Sequence, residues 1–176
     1  LRISYPILPD AAKWFLLPFV IIAFINIVYG ALCAMAQTDL KRMVAYSSII
    51  HMGFCMLGMA AILGAHASAG ISGAVFQMVN HGIITGSLFM LVGVLYDRAH
   101  TRNINDFGGR GARLSVFAGL VIIQALASRG LPGLAGFISE FLCFLGIFGD
   151  ANYRIWAILS VAGIMITAAF LLKMIK

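Results

Sequence analysis

From residue 14 to residue 36 this chain runs 23 residues without a charged side chain. A helix needs about 20 predominantly apolar residues to cross a hydrocarbon layer about 30 Å thick. The pattern returns at 43–65, interrupted only by His51, at 71–96, interrupted only by His81, and at 155–172. A further stretch, 114–149, is too long for one straight crossing and carries Arg129, Gly130, Pro132, Gly133 and Glu140. The expected fold is an all-α, polytopic transmembrane helix bundle. Its five spans cover about 14–36, 43–65, 71–96, 114–149 (broken near 129–133) and 155–172, in one transmembrane domain over 1–176.

Composition agrees. Hydrophobic residues make up 62% of the chain and charged residues 10%, against roughly 45–50% and about 25% in soluble domains. Too few charges remain to cover a soluble core, which excludes a soluble globular domain, a disordered chain and a nucleic-acid binder. The net charge of +6 fits basic loops held on the cytoplasmic or matrix side of a membrane. With alternating spans, Lys41, Arg42, Arg98, Arg102, Arg110, Arg113, Lys173 and Lys176 fall on one side; Arg2, Lys13 and Arg154 fall on the other. Trp14 and Trp156 stand at span ends as interface anchors. Cys33, Cys55 and Cys143 lie singly in apolar runs, without metal or disulfide spacing. No dinucleotide, iron–sulfur or haem motif is present, so any redox chemistry belongs to a partner.

The fourth span cannot continue as a plain helix through Gly130-Leu131-Pro132-Gly133. Proline lacks an N–H and clashes with the preceding turn, while glycine tolerates non-helical angles. A simple proline kink would account for Pro132 alone. The flanking glycines point to two half-helices, about 114–128 and 134–149, beside protein or a hydrated cavity.

Three titratable side chains lie deep. At 1.5 Å per residue, His51 is about 12 Å into its span, and His81 and Glu140 are each about 15 Å into theirs. Such residues are costly in hydrocarbon unless paired or hydrated. Imidazole titrates near working pH, and burial and neighbouring cations push a carboxyl's titration in opposite directions. Tyr46, Ser47 and Ser48 precede His51, Gln77 and Asn80 precede His81, and Ser139 adjoins Glu140. These side chains can hold water or pass on hydrogen bonds. A single intramembrane histidine is as readily a helix–helix hydrogen-bonding group; two with a glutamate at matching depth point to a proton pathway. Asp39-Leu40-Lys41-Arg42 reads as a charged helix boundary, His66 and His100 as solvated loop residues, and the methionines as packing.

The order of motifs resembles a known family. Gln37-Thr38-Asp39-Leu40-Lys41-Arg42-Met43-Val44-Ala45-Tyr46-Ser47-Ser48, followed by His51-Met52-Gly53-Phe54, is similar to the signature of chain 4 (the bacterial M subunit) of proton-pumping NADH:quinone oxidoreductase, respiratory complex I. The likeness continues through Gln77–Gly82, Leu95–Arg98 with His100-Thr101-Arg102, Gly108-Gly109, Gly130–Gly133 and Phe137–Phe141, nearly the whole chain in order.

The resemblance implies a bundle of about fourteen helices built from two inverted five-helix repeats. This chain corresponds to the second repeat, without the lysine that precedes a Leu-Arg segment like Leu1-Arg2 and without the first repeat's glutamate–lysine pair. It is thus expected to be a fragment or split-gene part of a larger subunit, and the missing initial Met agrees. The family's two histidines fall on His51 and His81, and the acidic residue of its broken helix on Glu140. Tyr46, Ser48, Gln77, Asn80, Arg129 and Ser139 are the expected supporting polar groups. Arg129 stands where relatives are usually aliphatic, Ala135 where a small polar residue is common and Ser139 where glycine is.

The expected role is a proton-translocating membrane-arm subunit of NADH:quinone oxidoreductase, in the mitochondrial inner or bacterial cytoplasmic membrane. Other membrane-arm subunits, lipids and the remaining half of the subunit would be its partners. NADH, FMN, iron–sulfur clusters and quinone would reside in partner subunits. A multi-subunit cation/proton antiporter or a membrane-bound hydrogenase would use the same helices, and a purely structural scaffold is the alternative of another class.

Overall fold

The computed structural model describes residues 3–107, 115–128 and 130–175; of Ser4, Ser115 and residues 170–175 it describes the backbone only. The described residues are all-helical apart from turns and one isolated bridge. Two short helices, α1 (Ser4–Ile7) and α2 (Pro9–Trp14), precede α3 (Leu16–Ala36), α4 (Leu40–Met59), α5 (Ala67–Ala99), α6 (Ser115–Ala127), α7 (Ala135–Phe148) and α8 (Arg154–Ile175). By length and composition, 16–36, 40–63 and 67–99 can each cross a membrane; Val116–Ala127, Ala135–Phe148 and Arg154–Ala169 are shorter apolar helices.

Boundaries differ from the sequence expectation where local chemistry intervenes. Trp14 closes α2 and stays exposed, so the first long helix begins at Leu16. The second begins at Leu40 because the Asp39 carboxylate accepts the Arg42 N–H at 3.0 Å, satisfying a donor that an open helix end leaves unpaired. Its far end tightens into a 3₁₀ turn, Ala60–Leu63, before Gly64 turns the chain. α5 runs on to Ala99, where His100, in the left-handed region at φ 51°, caps it through an N–H bond to the Tyr96 carbonyl.

The core follows helical periodicity. Leu16, Val20, Ala23, Ile27, Ala31 and Ala34 make one stripe on α3, met by Met43, Ile50, Phe54 and Leu57 of α4. Ile147 of α7 and Ala157 of α8 close this cluster. Glycines let α5 and α7 approach backbone to backbone. A Cβ on Gly73 would lie 2.7 Å from the Cys143 nitrogen, and one on Gly146 would strike the Gly70 Cα. Close approach at small residues is how helices gain dispersion contact in lipid, where no hydrophobic force drives them together. One to two turns above this crossing lie Gln77, Asn80, Ser139 and Glu140.

The two ends of the bundle are chemically distinct. At one, Asp39 and Asn103 form an antiparallel bridge, with the Leu40 N–H on the Arg102 carbonyl and the Ile104 N–H on the Thr38 carbonyl, each at 2.9 Å. Lys41 and Arg102 therefore share an end. At the other, Gly64 lies against Asp150 and His66 against Gly149.

Candidate functional site: a buried polar seam at a helix break

The polar seam lies where α4, α5 and α7 meet. α6 ends at Ala127 and α7 begins at Ala135. Between them Gly130 and Gly133 take positive φ values of 60° and 100°, which side-chain-bearing residues rarely adopt. The backbone at Gly130 presses on the seam: a Cβ there would lie 2.6 Å from Glu140 Oε2. A Cβ on Gly136 would meet the Ala127 carbonyl, so the ends of the two half-helices also touch through glycine.

Each buried polar group has partners, as low dielectric demands. Gln77 is turned by two neighbours. Its Oε1 accepts the Ser139 hydroxyl, and its Nε2 donates to His51 Nδ1 at 3.0 Å. Ser139 also lies 2.9 Å from the Gly136 carbonyl and accepts from Asn80 Nδ2 at 3.3 Å. Asn80 donates to the Ala135 carbonyl in the first turn of α7 at 3.1 Å. Glu140 Oε1 lies 3.6 Å from His51 Nδ1, so the same ring nitrogen faces an amide donor and a carboxylate.

His81 stands at the edge of the seam, half-buried. Its ring centroid is 5.3 Å from that of His51, and Thr85 Oγ1 is 3.0 Å from its Nδ1. Two small cavities flank His51, each of about 10 Å³, roughly room for one water. One is lined by His81, Thr85, Gln77 and Asn80, the other by Ser47, Glu140 and Thr167; Ser128 lines both. His51 thus sits between a space shared with His81 and a space shared with Glu140.

The structure brings together His51, His81, Glu140, Gln77, Asn80 and Ser139. It leaves two expected supporting residues aside. Tyr46 lies about 140° around the helix from His51 and packs half-buried on the hydrophobic core. The Ser48 hydroxyl turns back on the Val44 carbonyl at 3.5 Å, a local bond that withdraws a helical serine from its surroundings. Arg129 lies outside the described residues.

Sequence reasoning missed Thr85, Ser128 and Thr167. Thr85 was accessible, being one turn from His81 on the same helix; Thr167 reaches the seam only through the tertiary placement of α8. Among the described residues no three His, Cys, Asp or Glu side chains converge as metal ligands.

Comparison with known proteins gives consistent findings. A family described as NADH:quinone oxidoreductase/Mrp antiporter, TM, matches residues 1–167. NADH-quinone oxidoreductase subunit M of Rickettsia bellii is 43% identical over 176 residues, all of this chain and 34% of that protein. NAD(P)H-quinone oxidoreductase chain 4 1 of Nostoc sp. is 42% identical over 181 residues, covering 33% of its own length. The chain spans about a third of the length of these curated relatives. A solved structure of the Mrp complex from Dietzia sp. superposes with a TM-score of 0.86 at 20% identity, over 97% of this chain and 31% of the other, a likeness of fold.

Proposed function

The chain belongs to the NADH:quinone oxidoreductase/Mrp antiporter transmembrane family, and from that premise we propose that it forms part of a proton-translocating membrane-arm subunit of NADH:quinone oxidoreductase. In this reading it crosses the membrane five times, through α3, α4 with its 3₁₀ turn, α5, the broken pair α6–α7, and α8. The rest of the subunit and other membrane-arm subunits pack around it. NADH, FMN, iron–sulfur clusters and quinone are held by partner subunits, whose redox chemistry drives the protons.

The observation that carries this reading is the double environment of His51 Nδ1. When that nitrogen is unprotonated it accepts from Gln77 Nε2. Ser139 fixes the sense of the Gln77 amide by donating to its Oε1, so Gln77 cannot serve a protonated ring without turning over. Once protonated, Nδ1 becomes a donor, and the acceptor it faces is Glu140 Oε1, 3.6 Å away. A proton arriving on His51 therefore exchanges an amide partner for a carboxylate. In a low-dielectric seam, that exchange couples the ring's charge to Glu140 strongly. His81 lies in ring contact on the other side, and a water in either flanking cavity would complete hydrogen-bonded steps of about 3 Å.

The test is proton pumping per electron by the assembled complex in proteoliposomes carrying Glu140→Gln, which keeps shape and removes titration. Pumping should be lost while assembly and quinone reduction by NADH remain measurable. Normal pumping by intact complexes would remove Glu140 from the pathway, and failed assembly alone would favour a scaffold.

A further inference from the structure

At the opposite level of the bundle from the Gly64–Asp150 turn, a cleft of about 530 Å³ opens between the start of α4 and the end of α5. Lys41, Arg42 and Arg102 line it, together with Thr38, Tyr96 and Asn103. Among the described residues no carboxylate lies within ion-pair distance of those three cations. The nearest acid, Asp39, is occupied as the cap of α4. Three like charges converge here without a partner, which is unfavourable unless an anion joins them.

The cleft is also built rather than casual. The Asp39–Asn103 bridge ties its two walls together, and the Arg102 guanidinium lies over the Tyr96 ring, 4.6 Å from its centroid. A stacked arginine is pre-organised to bind phosphate bidentately. The surface beneath it suits an acyl chain. Gly82, Gly86 and Gly93 of α5 fall within about 80° of Tyr96 around the helix, and nothing lies within 4 Å of a Cβ placed on any of them. Together they leave a shallow furrow running from the cleft towards mid-membrane.

We propose that this cleft and furrow form a site for an anionic phospholipid, its phosphodiester held by Lys41, Arg42 and Arg102 and one acyl chain lying along the glycines of α5. The inference concerns a surface remote from the polar seam and stands independently of the pumping role. Basic pockets at a membrane surface recognise headgroups through charge and phosphate geometry. The furrow selects a lipid over a soluble phosphate.

The test uses the complete complex in phosphatidylcholine nanodiscs doped with phosphatidylglycerol bearing a photoreactive acyl chain, with labelled peptides mapped by mass spectrometry. Labelling of α5 near Gly86 and Gly93 is expected, and the matching phosphatidylcholine probe should label it several-fold less. Arg102→Gln should lower labelling roughly fivefold, and adding Lys41→Gln roughly fivefold again. Gly93→Leu should displace the label from α5. The wild-type contrast between the two probes decides even if a variant fails to assemble. Equal labelling by both probes, displacement by excess glycerol phosphate, or crosslinking of the furrow to a protein helix would each overturn the proposal.

Discussion

His51 and His81 lie in ring contact, yet their surroundings differ in kind. His51 is enclosed by three helices, its Nδ1 shared by Gln77 and Glu140 and its orientation relayed through Ser139 and Asn80. His81 is half-buried, with one partner, Thr85, on its own helix. The enclosed side rests on the crossing of α5 and α7 at Gly70, Gly73 and Gly146. The other looks towards α6, where Val116 is 78% and Ile123 56% exposed. A group whose partners come from three elements can change charge only by changing partner. A group with one local partner and open space can be served by water. In the proposed pathway, His51 is accordingly the controlled step and His81 the accessible one.

Replacing each histidine with glutamine strains that contrast hardest. His51→Gln should slow proton transfer through the subunit by about 10²-fold or more, while His81→Gln should cost about tenfold or less because water can take its place. Equal losses, measured as pumping per electron, would break the distinction. Next in size is Gly146→Leu, which drives a side chain into the α5 backbone. Overpacking of this kind costs about 1–3 kcal/mol, read as a lower midpoint of thermal inactivation in detergent. The same change at Gly86, facing open space, should leave the midpoint close to wild type.

Ser139→Ala removes the hydroxyl that orients Gln77. A loss of about 1 kcal/mol in stability is expected, with slower pumping that Gln77→Leu does not worsen further when the two are combined. Additive effects would show that the two residues act separately. The smallest effect belongs to Thr85→Val, at about 0.6 kcal/mol, a typical value for an interhelical or local polar contact in a membrane bundle. A larger loss on denaturation would mean that His81 is held as tightly as His51.

How much of this was legible beforehand varies with the range of the interaction. The break at Gly130–Gly133 and the depth of His51, His81 and Glu140 follow from local rules of proline, glycine and helical rise. Gln77, Asn80 and Ser139 stand beside those residues in sequence. Tyr46 and Ser48 stand equally close, but helical angle and a bond to the Val44 carbonyl turn them away. Thr167 could not be anticipated, because nothing in its own segment says that α8 lines the Glu140 cavity. The glycine crossing was equally invisible, since Gly70, Gly73 and Gly146 acquire their role only from the helix opposite.

The central claim is that Glu140 changes its protonation or hydrogen bonding when His51 does. Infrared difference spectroscopy of the assembled complex, resting against turning over with NADH, reads this directly in the carboxyl C=O region. The account expects a carboxyl band that vanishes in Glu140→Gln and shifts or weakens in His51→Gln. Difference spectra of wild type and Glu140→Gln that superimpose throughout that region would contradict it.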